Sequence, residues 1–296
     1  MKSALSQLAL QRPAKLSQAL RLLADSLDSG RLTPLAGGTD LFVYLNAGSL
    51  EGSRFLDLSA LAELRGLGVT REGALRVGAL TTFRELGAHP KVAAGWPSLA
   101  AAARVIGAAQ IQNRATIGGN IANASPAGDS LPVLLAHDAV VRVGSARGER
   151  AIEFASLFTG YRRLALAEDE LILSVELPAA PRGAAVFFRK VGTRAAQSIS
   201  KVVFAGVLHA GRGRAASHAR LAWGSVAPVP VRAPRAEAAL LASAPSRAAA
   251  EAALAALEHD IAPIDDIRSD RSYRMAVARN LLAQFLRTAH PGFSRA

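Results

Sequence analysis

The sequence predicts an α+β protein of about two domains. The chain has 296 residues, and because globular domains average roughly 150 residues, this length suits two of them. Half of the residues are hydrophobic and 20% are charged, which is ordinary for a soluble globular protein. In the last third of the chain, strand-like segments come before helix-like segments without βαβ alternation. That order is typical of α+β folds.

The first of three sections, about residues 1–58, has a helix at each side of a short apolar run. Ser17 is expected to contribute to the start of the first helix, and Thr39 or Asp40 to cap the second. The predicted elements are a helix over 14–27, a strand-like run at 33–36, a helix from Leu41 to Gly48 and a strand at 54–58.

The second section, about 59–178, mixes strands with short helices, and the third, about 179–296, places its strands first. In the second section we predict strands at 75–79, 139–143 and 171–177, and helices at 83–86, 97–107 and 131–136. In the third section we predict strands near 184–191, 201–209 and 219–224, and helices near 233–242, 246–257 and 272–286.

Composition excludes several classes of site. The chain has no cysteine, so it cannot form a disulfide, a thiolate metal site or an all-cysteine iron–sulfur cluster. The six histidines show no metal-ligand spacing, and we expect no metal site. No apolar run reaches the roughly 18–20 residues of a membrane span. Residues 1–6 lack the pattern of a secretory signal, so we expect a cytoplasmic protein.

The formal net charge of +12 leaves binding to nucleic acid or another anionic surface open. The basic residues are almost all arginine and are scattered, and alanine is abundant, as in a protein encoded by GC-rich DNA. Aromatic residues make up only 5% of the chain, so few side chains are present on which bases could stack. We therefore expect no nucleic-acid partner.

Two glycine-rich segments carry the predicted binding chemistry. Backbone N–H groups in a tight turn form an anion-binding nest, and glycine lets the backbone approach the ligand closely. Neither segment matches the patterns of nucleotide triphosphatases or Rossmann domains. One such segment alone is as readily an ordinary turn before a helix, but two in successive sections favour a diphosphate held between them. The segments are Ala36-Gly37-Gly38-Thr39-Asp40 and Thr116-Ile117-Gly118-Gly119-Asn120.

These residues resemble the flavin motifs of a known family. Residues 34–41 resemble the first motif of the FAD-binding subunits of molybdenum hydroxylases, and residues 116–129 resemble the second motif closely. This family includes xanthine dehydrogenase, carbon monoxide dehydrogenase and aldehyde oxidoreductases. The resemblance continues in order along nearly the whole chain, at 158–162, 170–172, 189–192, 199–202, 224–228 and Tyr273-Arg274.

The resemblance implies a fold and a set of cofactor-binding residues. The fold is a two-subdomain FAD-binding domain of the vanillyl-alcohol-oxidase (PCMH) type over 1–178, with subdomains of about 1–58 and 59–178. A C-terminal α+β domain of a small antiparallel sheet and helices follows over 179–296. The cofactor-binding residues would be Leu35, Ala36, Gly37, Gly38, Thr39, Asp40, Leu41, Ile106, Thr116, Ile117, Gly118, Gly119, Asn120, Asp129, Ile172 and Lys190.

Four of these residues have a second interpretation. Asp129 could accept hydrogen bonds from cofactor hydroxyls, or it could cap the helix predicted at 131–136. Ile106 and Ile172 could contact the flavin or belong to the core. Lys190 could place a cation near the isoalloxazine or be a surface lysine.

The resemblance also implies a function. A large molybdopterin-binding subunit would oxidise the substrate, and a small subunit with two 2Fe–2S clusters would relay electrons to FAD in this chain. FAD would pass them to an external acceptor, and two heterotrimers would form a dimer. The cofactor does the redox chemistry, so no catalytic acid, base or nucleophile is assigned.

Two other functions remain open. A self-sufficient flavin oxidase or reductase of the vanillyl-alcohol-oxidase class would share the binding architecture. Such enzymes normally carry acid–base residues in a substrate domain, and the short C-terminal section is poor in them. The second alternative, a basic module that binds nucleic acid or an anionic surface, depends on the net charge alone.

Overall fold

The computed structural model describes residues 8–49, 52–211 and 213–294. The expectation that residues 1–6 form no secretory signal lies outside the described residues. Within these ranges, no helix has the length and hydropathy that crossing a membrane requires.

The first part of the chain is a small parallel sheet with two helices. Its elements are β1 (Ala9–Gln11), α1 (Leu16–Ser29), β2 (Thr33–Leu35), α2 (Leu41–Ala47) and β3 (Arg54–Asp57). The strands lie in the order β1-β3-β2, and both pairings are parallel. This βαβαβ unit contains the two helices and the two strand-like segments that the sequence predicts, and it adds β1. The sequence does not predict β1 because that strand has three residues, two of them exposed, and therefore no hydrophobic pattern.

The second part is an antiparallel sheet with short helices. The strands are β4 (Leu67–Val69), β5 (Leu75–Gly78), β6 (Val140–Ser145), β7 (Gly148–Glu153), β8 (Phe158–Gly160), β9 (Arg163–Leu164) and β10 (Leu171–Leu177). The helices are α3 (Phe83–Ala88), α4 (Pro90–Gly95), α5 (Pro97–Val105), α6 (Ala109–Gln112), α7 (Ile117–Asn123) and α8 (Leu131–Ala136). The sheet has the order β4-β5-β10-β6-β7, while β8 and β9 form a separate hairpin. Its core joins strand residues such as Val77 and Val141 to helix residues such as Leu99 and Leu134.

The third part places a four-stranded antiparallel sheet between its own helices and the rest of the protein. Its elements are β11 (Ala185–Val191), β12 (Val202–His209), β13 (His218–Gly224), β14 (Val231–Arg232), α9 (Pro234–Leu241), α10 (Arg247–Leu257) and α11 (Arg271–Ala289). Neighbouring residues of a strand face opposite sides of a sheet. Accordingly, Phe204 packs with α11 in the C-terminal core, whereas Ala205 and Val207 belong to the core of the second part. The sheet is thus buried on both faces.

Several helix ends follow local rules that are visible in the sequence. Gly48 ends α2 in the left-handed backbone region, at φ 67°, where glycine is the preferred residue. Thr82 and Glu85 form a reciprocal capping box at the start of α3. Asp270 caps α11 by accepting a hydrogen bond from the Tyr273 N–H at 2.7 Å.

The helix α2 begins at Leu41, as predicted, but the capping residues predicted for the first two helices are wrong. Lys15, not Ser17, is the residue that precedes α1. Asp40 stands directly before α2, but its backbone is already helical and its side chain accepts no capping bond. A capping residue needs an extended backbone to turn its side chain toward the helix N–H groups. Here the chain enters α2 through Gly38, at φ 74°, and this turn leaves neither Thr39 nor Asp40 in a capping geometry.

Candidate functional site

A large cleft lies where the two N-terminal parts meet the C-terminal domain. Its volume is about 1320 Å³, above the roughly 300–1,000 Å³ of common small-ligand pockets. Both glycine segments line it, together with residues from the C-terminal domain. Of the sixteen predicted cofactor-binding residues, two do not line the cleft, Ile117 and Lys190. Those that do are Leu35, Ala36, Gly37, Gly38, Thr39, Asp40, Leu41, Ile106, Thr116, Gly118, Gly119, Asn120, Asp129 and Ile172.

The first glycine segment presents a row of free hydrogen-bond donors. Among the described residues, none accepts a hydrogen bond from the backbone N–H groups of residues 36–41. Backbone N–H groups are strong donors, so a row of them without a protein partner on a cleft wall is available to a ligand. Gly38 turns the chain in the left-handed region, at φ 74°. Successive N–H groups in such a turn can converge on one anion.

The second glycine segment is the first turn of α7 and not the tight turn that its glycines predict. Thr116 caps the helix by accepting from the Gly119 N–H at 3.1 Å. The N–H groups of Ile117, Gly118 and Asn120 donate to Thr81 O, Ala79 O and Thr116 O. Four of its five backbone donors, those of residues 117–120, are therefore already used within the protein, by the turn that follows β5 and by the first turn of α7 itself. The Thr116 N–H has no partner among the described residues. The two segments differ in what they can offer a ligand.

Neighbouring backbone packs closely against a glycine of each segment. A Cβ at Gly37 would overlap the carbonyl oxygen of Arg114. A Cβ at Gly118 would lie 2.7 Å from Ala79 O. Both glycines are thus required by contacts within the protein. At Gly119 a Cβ would meet only Thr116 Oγ1, at 3.0 Å, and Ala36 Cβ, at 3.9 Å, so it would otherwise project into the cleft.

Asp129, on the cleft wall, forms a buried ion pair with Lys190, which lies behind it. Lys190 Nζ lies 2.7 Å from Asp129 Oδ2 and donates to Val105 O at 3.1 Å. Ser200 Oγ donates to Asp129 Oδ1. Burial raises the pKa of the Asp129 carboxyl, and the neighbouring Lys190 charge opposes that rise. Ser130 stands directly before α8, so the alternative role of Asp129 as its cap is wrong.

Lys190 is neither a surface lysine nor a residue of the cleft wall. Its side chain is 8% exposed, which excludes the first interpretation. Its ammonium points to Asp129. An influence of Lys190 on the flavin stays a prediction, and it would act through Asp129. Ile106 and Ile172 belong to the core cluster, each with 8% exposure, and each also lines the cleft. Their contact with the flavin stays a prediction.

Asp40 lies on the rim of the cleft, close to the free N–H groups. Desolvation by the cleft walls raises the pKa of its carboxyl, and the charge of Arg162 opposes this rise. A carboxylate here would repel an anionic ligand, so its proximity to Arg162 matters for binding.

Sequence reasoning missed the residues by which the C-terminal domain closes the cleft. Ser200, Ser225 and Arg274 all line it. Arg274 is 4% exposed, and its guanidinium donates to Ser225 O and to Asp266 Oδ1, both at 2.7 Å. These residues fall within segments that resemble the flavoprotein family, but nothing in their types or spacing indicates a place on the cleft.

Two family models match the chain. Residues 6–180 match the FAD binding domain in molybdopterin dehydrogenase, and residues 187–289 match the CO dehydrogenase flavoprotein C-terminal domain. The chain belongs to this flavoprotein family. The expected family and the expected fold class, an FAD-binding domain followed by a C-terminal α+β domain, are confirmed.

Curated relatives and solved structures resemble this family member along almost its whole length. The xanthine dehydrogenase FAD-binding subunit of Escherichia coli O157:H7 is 32% identical, with 94% of each chain covered. The carbon monoxide dehydrogenase medium chain of Hydrogenophaga pseudoflava is 29% identical over 94% of this chain and 95% of that one. A carbon monoxide dehydrogenase structure from Hydrogenophaga pseudoflava superposes with a TM-score of 0.91 over 98% of each chain, at 29% identity.

The geometry of this flavoprotein fits a flavin dinucleotide. The free N–H groups of residues 36–41 suit a diphosphate. The cleft is large enough for the rest of a dinucleotide, and Ile106 and Ile172 give its wall apolar surface. The assignment of individual residues to the cofactor stays a prediction.

Proposed function

We propose that this chain is the FAD-carrying electron-transfer subunit of a multi-subunit molybdenum hydroxylase. In this role it takes electrons from the 2Fe–2S clusters of a partner subunit and passes them to an external acceptor. The observation that carries the proposal is the row of unpartnered N–H groups at residues 36–41 on the wall of a dinucleotide-sized cleft. The absence of cysteine from the chain supports it, since the clusters must then lie in another chain.

The chain's own residues bind and orient the cofactor. The N–H groups of residues 36–41 hold the diphosphate, and Gly119 leaves room beside them. Asp129, fixed by Lys190 and Ser200, accepts hydrogen bonds from cofactor hydroxyls. Ile106 and Ile172 exclude water from the apolar wall. FAD, when bound, accepts electrons one at a time and releases them to the acceptor.

The partners are a large molybdopterin-binding subunit and a small 2Fe–2S subunit. Two of the relatives are a FAD-binding subunit and a medium chain. Both names describe one subunit of a complex that has several chains. A dimer of heterotrimers and a cytoplasmic location are further predictions. A self-sufficient flavin oxidase is less favoured, because no histidine lies among the described residues that line the cleft.

The first test is whether the purified chain binds FAD. After FAD is added and the excess removed by gel filtration, the visible spectrum should show the flavin bands at close to one flavin per chain. A chain that stays colourless would overturn the proposal.

The second test separates a subunit from an independent enzyme. Expression with its neighbouring genes should yield a complex that contains a large molybdopterin-binding chain and a small cysteine-rich chain. Substrate oxidation by the isolated FAD-loaded chain would contradict the subunit assignment and favour the self-sufficient oxidase.

A further inference from the structure

Most of the charged groups on the cleft wall are neutralised by a partner. Of the arginines that line the cleft, Arg31 pairs with Glu168 at 3.1 Å. Arg274 pairs with Asp266 at 2.7 Å, and Arg268 lies 3.6 Å from the same carboxylate. The lining carboxylates Asp129 and Glu170 are held by Lys190 and Arg150. Arg162 differs from these residues. Within the described ranges it is the one cation on the cleft wall that has no carboxylate within 4 Å.

Arg162 is held in a fixed position. It lies in the turn between β8 and β9 with φ 54°, a left-handed backbone region that is costly for a residue with a Cβ. Its Nη1 donates to Tyr44 Oη at 2.6 Å. Its guanidinium also lies over two rings, 5.4 Å from the centroid of Tyr44 and 5.8 Å from that of Tyr161. An unfavourable backbone conformation that is kept by specific contacts is a common feature of functional sites.

These contacts connect the arginine to both glycine segments. Tyr44 lies on α2, which follows the first segment, and its hydroxyl donates to Asn123 Oδ1 at 3.1 Å. Asn123 ends α7, which begins with the second segment. A chain of hydrogen bonds, Arg162–Tyr44–Asn123, therefore fixes the guanidinium relative to both segments.

We propose that Arg162 is a phosphate-binding residue for the cofactor's diphosphate. The proposal rests on the proposed function, in which the cleft takes FAD. A planar guanidinium recognises phosphate oxygens with two parallel N–H donors. Arg162 adds this charge to the neutral N–H groups of residues 36–41. It also offsets the carboxylate of Asp40, with which it interacts electrostatically and which would otherwise repel the phosphates.

The test is the affinity of the full-length, flavin-free chain for FAD, measured by quenching of flavin fluorescence. The variant is Arg162→Asn, because Asn tolerates a positive φ and removes the charge. The matched control is Arg163→Asn, which removes the adjacent, exposed arginine of β9 that does not line the cleft. A charged hydrogen bond corresponds to about 10- to 100-fold in Kd. We expect an increase of that size for Arg162→Asn and less than twofold for Arg163→Asn.

Salt dependence separates a phosphate ligand from a structural brace. Sodium chloride screens a partly exposed charge contact, so it should weaken FAD binding more in the wild type than in Arg162→Asn. Arg162→Lys, which keeps the charge but loses the planar fork, should bind FAD with an intermediate Kd and a salt dependence like that of the wild type. Thermal unfolding of the flavin-free variants should match that of the wild type.

Four outcomes decide between the possibilities. Equal Kd values for Arg162→Asn and Arg163→Asn would overturn the inference while leaving the proposed function intact. Weak binding by both Arg162 variants with the salt dependence of the wild type would identify a brace and also overturn it. If Arg162→Asn does not fold, the Kd of Arg162→Lys is compared with that of Tyr44→Phe, which removes the hydroxyl that holds the guanidinium: tighter binding by Arg162→Lys supports the inference, and equally weak or weaker binding overturns it. Failure of the wild type to bind FAD would instead overturn the proposed function.

Discussion

Replacing Lys190 by Met removes one partner of a buried ion pair and should destabilise the fold. Lys190 Nζ lies 2.7 Å from Asp129 Oδ2, and each side chain is 8% exposed. Removing one member of such a pair leaves an uncompensated buried charge, which costs about 3–5 kcal/mol. The Ser200 hydroxyl still donates to Asp129, so we expect the lower end, about 3 kcal/mol. Met has nearly the same length as Lys, and a cavity should add little.

The cost should depend on pH in a defined direction. Without Lys190, burial is opposed only by the Ser200 hydrogen bond, and as the largest influence it raises the folded-state pKa of the Asp129 carboxyl above the unfolded value of about 3.9. The folded variant then binds a proton more readily than the unfolded chain, so its stability falls as pH rises through the folded pKa. The difference in unfolding free energy between wild type and Lys190→Met should therefore be smaller at pH 5 than at pH 8.

The assay is urea unfolding of the flavin-free chain, followed by circular dichroism at both pH values. Lys91→Met, which changes an exposed lysine of α4, is the control and should differ from the wild type by less than about 0.5 kcal/mol. The double variant Asp129→Asn/Lys190→Met removes both charges and should recover part of the loss. Equal stability of Lys190→Met and Lys91→Met at pH 8 would refute the reasoning.

Three further predictions concern the cleft, a buried histidine and the C-terminal core. Gly119→Ala should weaken FAD binding about tenfold without lowering the melting temperature of the flavin-free chain, because its Cβ projects into the cleft and alanine favours helix. Equal FAD affinity of Gly119→Ala and Gly95→Ala, whose Cβ meets nothing within 4 Å, would contradict this. Burial lowers the pKa of His137, so the neutral imidazole contributes stability that should be lost as pH falls below about 6.5. The unfolding free energies of wild type and His137→Gln should therefore differ less at pH 5.5 than at pH 7.5. Phe285→Ala should cost about 3–5 kcal/mol in urea unfolding because the ring is 1% exposed, against less than about 1 kcal/mol for the more exposed Leu241→Ala.

Local sequence signals predicted those elements whose own residues determine them. The continuous apolar run of β12 predicted a strand, and such a run is expected because both faces of that strand are buried. Gly48 predicted the end of α2 because only a left-handed backbone closes the helix there. β1 gave no such signal, because it is held by its parallel pairing with β3 and not by its own pattern.

The sequence predicted which residues line the candidate site better than it predicted which of their side chains contact one another. Asp129 was recognised from the motif, but its partner Lys190 lies 61 residues further along the chain. No local pattern specifies that their side chains meet across the boundary between two domains. Tyr44 and Arg162 lie 118 residues apart, and each of the two residues is unremarkable in its own segment. Contacts of this kind follow from tertiary packing, which residue spacing does not encode.

The glycines of the two segments have different reasons to be glycine, and this changes what their replacement tests. Gly37 and Gly118 are required by backbone atoms of Arg114 and Ala79, so a larger residue at either position would first disturb the fold. A loss of FAD binding in such variants would carry no information about ligand contact. Gly119, whose missing side chain leaves space in the cleft, is the position at which binding can change while the fold is kept. Most of the free donors belong to the first segment, and the Thr116 N–H is the one such donor described among residues 116–120. Affinity measurements on Gly119→Ala therefore test the ligand site, whereas replacement of Gly37 or Gly118 tests the packing that holds the two segments in place.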